Sequence, residues 1–128
     1  MKDIILLAVA GALGTVGRFG LSTLTQRITG TGFPIGTLMV NVVGSLIIGF
    51  IMQIGLNSDV MSRQMKLVLT LGFLGAFTTF SSFSYETVRY LEQGTWNLAT
   101  LNIVLNVVLC LAATLTGMWL GRLTVGNT

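Results

Sequence analysis

A helix needs roughly 20 consecutive apolar residues to cross the hydrocarbon core of a bilayer, about 30 Å thick. This chain contains four such stretches, at about residues 4–25, 36–54, 65–90 and 98–120. They leave almost nothing else to fold. The connectors are short and polar: residues 26–34 hold the Thr29-Gly30-Thr31-Gly32 turn and the only proline, Pro34, placed to open the second helix. Residues 56–64 form the second connector, and residues 92–97 carry a Gln93-Gly94 turn with Trp96 as an interfacial anchor. The chain is 52% hydrophobic and 9% charged, against about 25% charged in soluble domains. A soluble domain of 128 residues has too little interior to hide that apolar surface. The expected architecture is an all-α integral membrane protein, one multi-pass domain over residues 1–128 with four transmembrane helices.

The start of the chain lacks a signal-peptide pattern. Lys2 alone stands for a basic n-region, Asp3 follows it, and no small-residue cleavage site closes the run, so the first helix is expected to stay in the mature protein. The single Cys110 sits in an apolar run and reads as packing, and the chain has no His. That removes the usual proton relay and transition-metal ligand. With no cofactor or nucleotide motif either, nothing equips the chain as an enzyme. The net charge of +3 is spread over isolated Lys and Arg rather than a basic run, which argues against nucleic acid as a partner.

If both termini share one side, that side collects Lys2, Arg63, Lys66 and Arg122, and the other collects Arg27, Arg89 and at most Arg18. So feeble a positive-inside bias is compatible with a single N-in topology or with insertion both ways and an antiparallel dimer. Small residues recur in stripes: Gly11, Thr15 and Ser22; Thr37, Asn41 and Ser45; and Asn106, Cys110, Ala113, Thr114, Gly117 and Gly121. Such faces let helices approach closely in lipid, and in so small a protein they favour an oligomer, most simply a dimer.

The third apolar stretch is chemically unlike an anchor. Residues 72–84 bring Gly72, Gly75, Thr78, Thr79, Ser81, Ser82 and Ser84 to membrane depth. Hydroxyls and irregular backbone there are tolerated where they face protein or a water-lined path. Glycine and paired β-branched threonines weaken a helix, so a break is expected near residues 75–79. Its freed carbonyls need partners: a Thr hydroxyl, or a hard cation such as Na⁺. Phe80 and Phe83, three apart, share a helix face with Ser84 and Thr87 close by. Aromatics at such positions usually pack or face lipid, but a ring has a positive edge, and edges held beside the Ser81, Ser84 and Thr114 hydroxyls would suit a small anion. The only acids, Asp3, Asp59, Glu86 and Glu92, lie at or beyond span ends.

Six further side chains stand out. Arg18 either snorkels to the interface or forms an electropositive vestibule. Asn41 brings an amide to membrane depth, as a helix–helix hydrogen bond or as a donor lining a pore; Thr37 and Asn106 are further pore-lining candidates, while Asn102 is expected nearer the interface. Glu86 sits at a pore mouth or pairs with Arg89, three residues on.

Three segments together carry a resemblance. Gly11-Ala12-Leu13-Gly14-Thr15-Val16-Gly17-Arg18-Phe19, then Gly36-Thr37-Leu38-Met39-Val40-Asn41-Val42-Val43-Gly44, then Gly72-Phe73-Leu74-Gly75-Ala76-Phe77-Thr78-Thr79-Phe80-Ser81-Ser82-Phe83-Ser84-Tyr85-Glu86 strongly resemble the Fluc (CrcB) family of fluoride channels. The likeness spans all four stretches and is least distinctive in the fourth. It implies an antiparallel, dual-topology homodimer in the bacterial inner membrane, with two fluoride pathways each lined by both subunits. By matching position, Phe80 and Phe83 resemble the family's aromatic box and Asn41 its pore-lining amide. Ser81, Ser84 and Thr114 resemble its polar track, and Arg18 its vestibule arginine. Gly75 and Thr78 resemble the positions whose carbonyls hold a central structural Na⁺. The implied function is passive export of cytoplasmic fluoride. A narrow path would replace part of the ion's tightly held water and exclude the larger chloride, while binding weakly enough for exit.

Two other readings compete. A small multidrug transporter is also four helices, but it needs an embedded carboxylate in the first span, which has none. A non-transporting interaction subunit would use the stripes for assembly alone.

Overall fold

A computed structural model of the protein describes residues 1–57 and 59–126. Four crossings are long and apolar enough to span a membrane, and the described residues contain no strand. Helix α1 is Lys2–Thr29 and α2 is Ile35–Asn57. The third crossing, Arg63–Glu92, comprises α3 (Arg63–Leu67), a π-helical segment (Val68–Leu74), α4 (Gly75–Phe77) and α5 (Phe80–Glu92). Helix α6 is Trp96–Val125. Each crossing outruns its apolar stretch by a few residues at both ends, because helical hydrogen bonding continues into the polar flanks where water satisfies the side chains.

The ends are built from local chemistry. Gly30, at φ 60°, ends α1 in the left-handed region and returns its N–H to Gln26 O at 3.0 Å. The Gln26 side chain then holds the connector. Its Nε2 donates to Thr31 O (2.6 Å) and Phe33 O (3.0 Å), and its Oε1 accepts the Gly36 N–H at 3.2 Å, one of the free donors at the start of α2. Tyr90 closes over the same connector, its hydroxyl donating to Gly32 O and its ring stacked on Phe33. Ser62 caps α3 by accepting the Met65 N–H. Between α5 and α6, Gly94 takes the positive φ that the turn requires.

The helices pack as two parallel pairs. Along α2 and α6, Gly49 lies against the Thr114 carbonyl, Gly117 against the Leu46 carbonyl, and Gly121 against the Gln53 side chain, while Asn41 meets Asn106 nearer the start of both helices. Along α1 and the third crossing, Gly72 lies against Ala10, Gly14 against the Phe73 carbonyl, and Gly17 against the Phe77 ring. Gly117 and Gly121, read from sequence as part of an assembly stripe, are therefore used inside the subunit. The core between the pairs is small: Val40, Ile51, Leu74 and Phe77 are buried, with Val43, Ile47 and Phe73 packed against them. Most other large apolar side chains face outward, as expected where the surroundings are lipid.

Within the third crossing the backbone leaves the helical region at two residues. Thr78 has φ −85° and ψ 158°, and Thr79 has φ −149° and ψ 110°. The π-helical turns just before them carry one extra residue per hydrogen-bonded ring, a feature that tends to mark functional positions.

Candidate functional site

The extended pair needs outside partners for its peptide groups, because backbone N–H and C=O cannot be left unpaired at this depth. Asn41 on α2 supplies them. Its Oδ1 accepts the Thr79 N–H at 2.8 Å and its Nδ2 donates to Thr79 O at 3.0 Å. The Thr79 hydroxyl restarts the helix as the cap of α5, accepting the Ser82 N–H at 3.2 Å and donating to Ser82 Oγ at 3.0 Å. Two carbonyls lose their ordinary helical donors as a result. In a continuous helix Gly75 O would receive the Thr79 N–H and Thr78 O the Ser82 N–H; both donors point elsewhere.

A groove of about 440 Å³ opens beside this junction. Asn41, Gly75, Thr78, Phe80, Phe83 and Asn106, all singled out from sequence, line it together with Thr70, Thr79 and Cys110. Phe83 is buried and Phe80 is 77% exposed; their centroids are 5.3 Å apart with planes at 61°, an edge-to-face arrangement. None of the lining residues is a carboxylate or a base. The groove is thus mostly apolar, with a few hydroxyls, amides and ring edges on its wall, and it holds neither a fixed counter-charge to trap an anion nor an acid to turn it away.

The two sequence readings of Asn41 meet here. It lines the groove, and both of its N–H groups are engaged, one by Thr79 O and the other by Asn106 Oδ1 at 3.2 Å. An anion beside Asn41 must compete for one of them. Asn106 passes the chain on to Asn102, which is fully buried.

Thr37 and Glu86 belong to a second cavity of about 340 Å³, with Ser22, Thr23, Gln26 and Arg27 around it. Thr37 Oγ1 donates to Glu86 Oε1 at 2.5 Å, while Glu86 Oε2 is buried with no partner among the described residues. The alternative pairing of Glu86 with Arg89 does not form: Arg89 bonds Glu92 at 3.3 Å. Thr37 and Asn41 are one helical turn apart on α2, so one face of α2 serves both cavities.

The remaining sequence candidates lie outside both cavities. Ser81 is exposed, with Oγ 3.3 Å from Thr79 Oγ1; Ser84 is half-buried. Thr114 is half-buried on α6 and donates its hydroxyl to Cys110 O at 3.0 Å. Arg18 is half-buried on α1. Sequence reasoning named Thr79 only as a helix-weakening residue and missed its role as the cap of α5, whose signal was a hydroxyl three residues before Ser82; it gave Gln26 no role.

The comparisons with known proteins agree with one another. Residues 5–118 match the family described as CrcB-like protein, Camphor Resistance (CrcB). A protein from Dehalococcoides mccartyi named Fluoride-specific ion channel FluC is 49% identical over 127 residues, 99% of this chain and 98% of its own length. Relatives of the same name from Geobacter sulfurreducens (47% identical, 95% of this chain, 98% of their own length) and Geobacter metallireducens (45%, 97% and 97%) are similar throughout. With matches of that extent, the chain belongs to the CrcB family.

Proposed function

We propose that the protein is a fluoride-selective, passive ion channel. The carrying observation is the uncharged groove at the Thr78–Thr79 junction, where edge-to-face Phe80 and Phe83 meet the Asn41 amide. Relatives up to 49% identical over nearly their whole length are named as fluoride-specific channels, and membership of their family makes this chain a channel rather than an enzyme.

In this reading fluoride moves along α2 from the Thr37–Glu86 mouth to Asn41, Phe80 and Phe83. Asn106 lines the same path, and the hydroxyls of Ser81, Ser84 and Thr114 extend it. Arg18 contributes positive potential at a vestibule. Selectivity comes from replacing tightly held water with several weak donors, each easily exchanged. The engaged Asn41 amide fits that requirement: it yields a hydrogen to the ion only by loosening another bond, so binding stays shallow and exit remains possible.

The extended pair Thr78–Thr79 acts as the break in the third helix. Gly75 and Thr78 carbonyls, deprived of helical donors, suit a hard cation that takes oxygen ligands, and a structural Na⁺ would supply fixed positive charge beside the path. Two oxygens are too few for one ion. An antiparallel, dual-topology homodimer would bring the same pair from a second copy, and it would also cover the open side of the groove. The weak charge bias allows both orientations in a bacterial inner membrane.

Proteoliposomes loaded with fluoride or chloride and read with ion-selective electrodes test the reading. Rapid loss of fluoride with chloride retained is the expected outcome. Retention of both by folded protein overturns the channel reading in favour of an interaction subunit.

A further inference from the structure

Behind the groove runs a chain of hydrogen bonds with a single direction. The Thr79 N–H donates to Asn41 Oδ1 (2.8 Å), and Asn41 Nδ2 donates to Asn106 Oδ1 (3.2 Å). Asn106 Nδ2 donates to Asn102 Oδ1 (3.1 Å), and Asn102 Nδ2 to Thr87 Oγ1 (3.0 Å). The Thr87 hydroxyl donates to Phe83 O (2.8 Å). The path leaves α5 at its cap, crosses to α2, returns through α6 and ends in α5 one turn further on.

Its two ends fix its sense. A peptide N–H can only donate and a peptide carbonyl can only accept, so every amide between them must point the same way. Turning one amide over would set N–H against N–H on one side and oxygen against oxygen on the other. In so enclosed a place neither pair finds water: Asn102 is 0% exposed, Asn106 6% and Thr87 7%. Chains of this kind also polarise their members cooperatively.

We propose that Asn102 and Thr87, neither of which lines the groove, are positioning residues for the ion path. Acting through Asn106, they hold the Asn41 amide in the one orientation that presents its N–H edge; acting through the Phe83 carbonyl, they fix the buried partner of the aromatic pair. Thr87 is the hinge of the arrangement, because its hydroxyl must accept from Asn102 and donate to Phe83 at once. The assignment rests on the channel reading above.

The test separates rate from assembly. Full-length protein is reconstituted at high dilution, so that most vesicles hold one channel or none. Fluoride release then gives two numbers: the fraction of vesicles that empty, which follows folding and assembly, and the rate at which they empty, which follows the path. Thr87→Ser keeps a hydroxyl that accepts and donates, and should empty vesicles within twofold of the wild-type rate. Thr87→Val keeps the volume but breaks the chain, and should lower the rate at least tenfold while the active fraction holds. A Thr87→Val rate equal to wild type, or a fall in active fraction alone, overturns the proposal. Should Thr87→Val yield no folded protein, Thr87→Cys decides the matter, since its thiol fills the site but accepts weakly; a rate equal to that of Thr87→Ser overturns the assignment. A wild type that releases no fluoride removes the channel reading itself, and this proposal with it, at the first step.

Discussion

Asn41 grips the Thr79 peptide from both sides, its Oδ1 on the N–H at 2.8 Å and its Nδ2 on the carbonyl at 3.0 Å. A side-chain amide here does what a neighbouring strand would do for an extended residue, and it does so across two helices. Its second N–H goes to Asn106. Asn41→Asp removes every donor at once, leaving Thr79 O and Asn106 Oδ1 unpaired at about 1–3 kcal/mol each, and sets a carboxylate in a groove that otherwise has none. We expect Asn41→Asp to abolish fluoride release while the protein still assembles as the wild type does, checked by efflux beside size-exclusion chromatography. Wild-type efflux from this variant would sever Asn41 from the path.

Phe80 permits a cleaner dissection. It is 77% exposed, so its replacement leaves no core cavity, and its ring stands edge-to-face with Phe83. Phe80→Ile keeps apolar bulk and deletes the positive ring edge. Thermal stability should stay within about 0.5 kcal/mol of wild type, the usual range for surface changes, while fluoride flux is lost. Unchanged flux would mean that the ring serves packing or lipid contact only.

Much of this arrangement was legible in the sequence, for identifiable reasons. The four crossings follow from apolar run length, and the hydroxyl-rich junction follows from Gly75, Thr78 and Thr79 standing where Leu or Ile would make a better anchor. Asn41, Asn106, Phe80 and Phe83 stood out for the same reason: each is costly or unusual at that depth. The connections among them could not be read. Nothing in the spacing of residues 41, 79 and 106 says that α2 and α6 run parallel and side by side, and the bond from Asn41 to Asn106 depends on that tertiary placement. The burial of Asn102 could not be read either, because distance from the span end says nothing of whether a neighbouring helix covers the site. Glu86 offered a local partner in Arg89, but the longer-range Thr37 prevailed, since a carboxylate among helices gains more from a bond inside the protein than from an exposed ion pair.

The glycines divide into two kinds, and the division predicts opposite signs. A Cβ on Gly117 would run into the Leu46 carbonyl, which is backbone and cannot swing away, whereas a Cβ on Gly20 would meet nothing within 4 Å. Gly117→Ala should force α2 and α6 apart and destabilise the protein by about 1–3 kcal/mol, in the range of overpacked cores. It should also slow fluoride release, because Asn41 and Asn106 bridge the same two helices. Gly20→Ala should leave the fold unharmed or strengthen it by up to about 1 kcal/mol through helix propensity. Thermal unfolding in detergent compares the two; equal effects would refute the parallel α2–α6 packing.

The carbonyls of Gly75 and Thr78 carry the last prediction. The Thr79 N–H is taken by Asn41 and the Ser82 N–H by the Thr79 hydroxyl, so neither returns to the oxygen it would meet in an unbroken helix. Oxygens stripped of donors on an apolar crossing need another partner, and a Na⁺ shared with a second copy, as proposed, would meet the need without a charged side chain. Protein prepared with only a large organic cation present should then show a lower unfolding temperature and slower fluoride release, and both should recover on adding Na⁺. Recovery must track Na⁺ concentration at constant ionic strength, since a general salt effect would follow any cation equally. Indifference of both readouts to Na⁺ would leave the two carbonyls to water or to a partner's N–H groups and remove the ion from the mechanism.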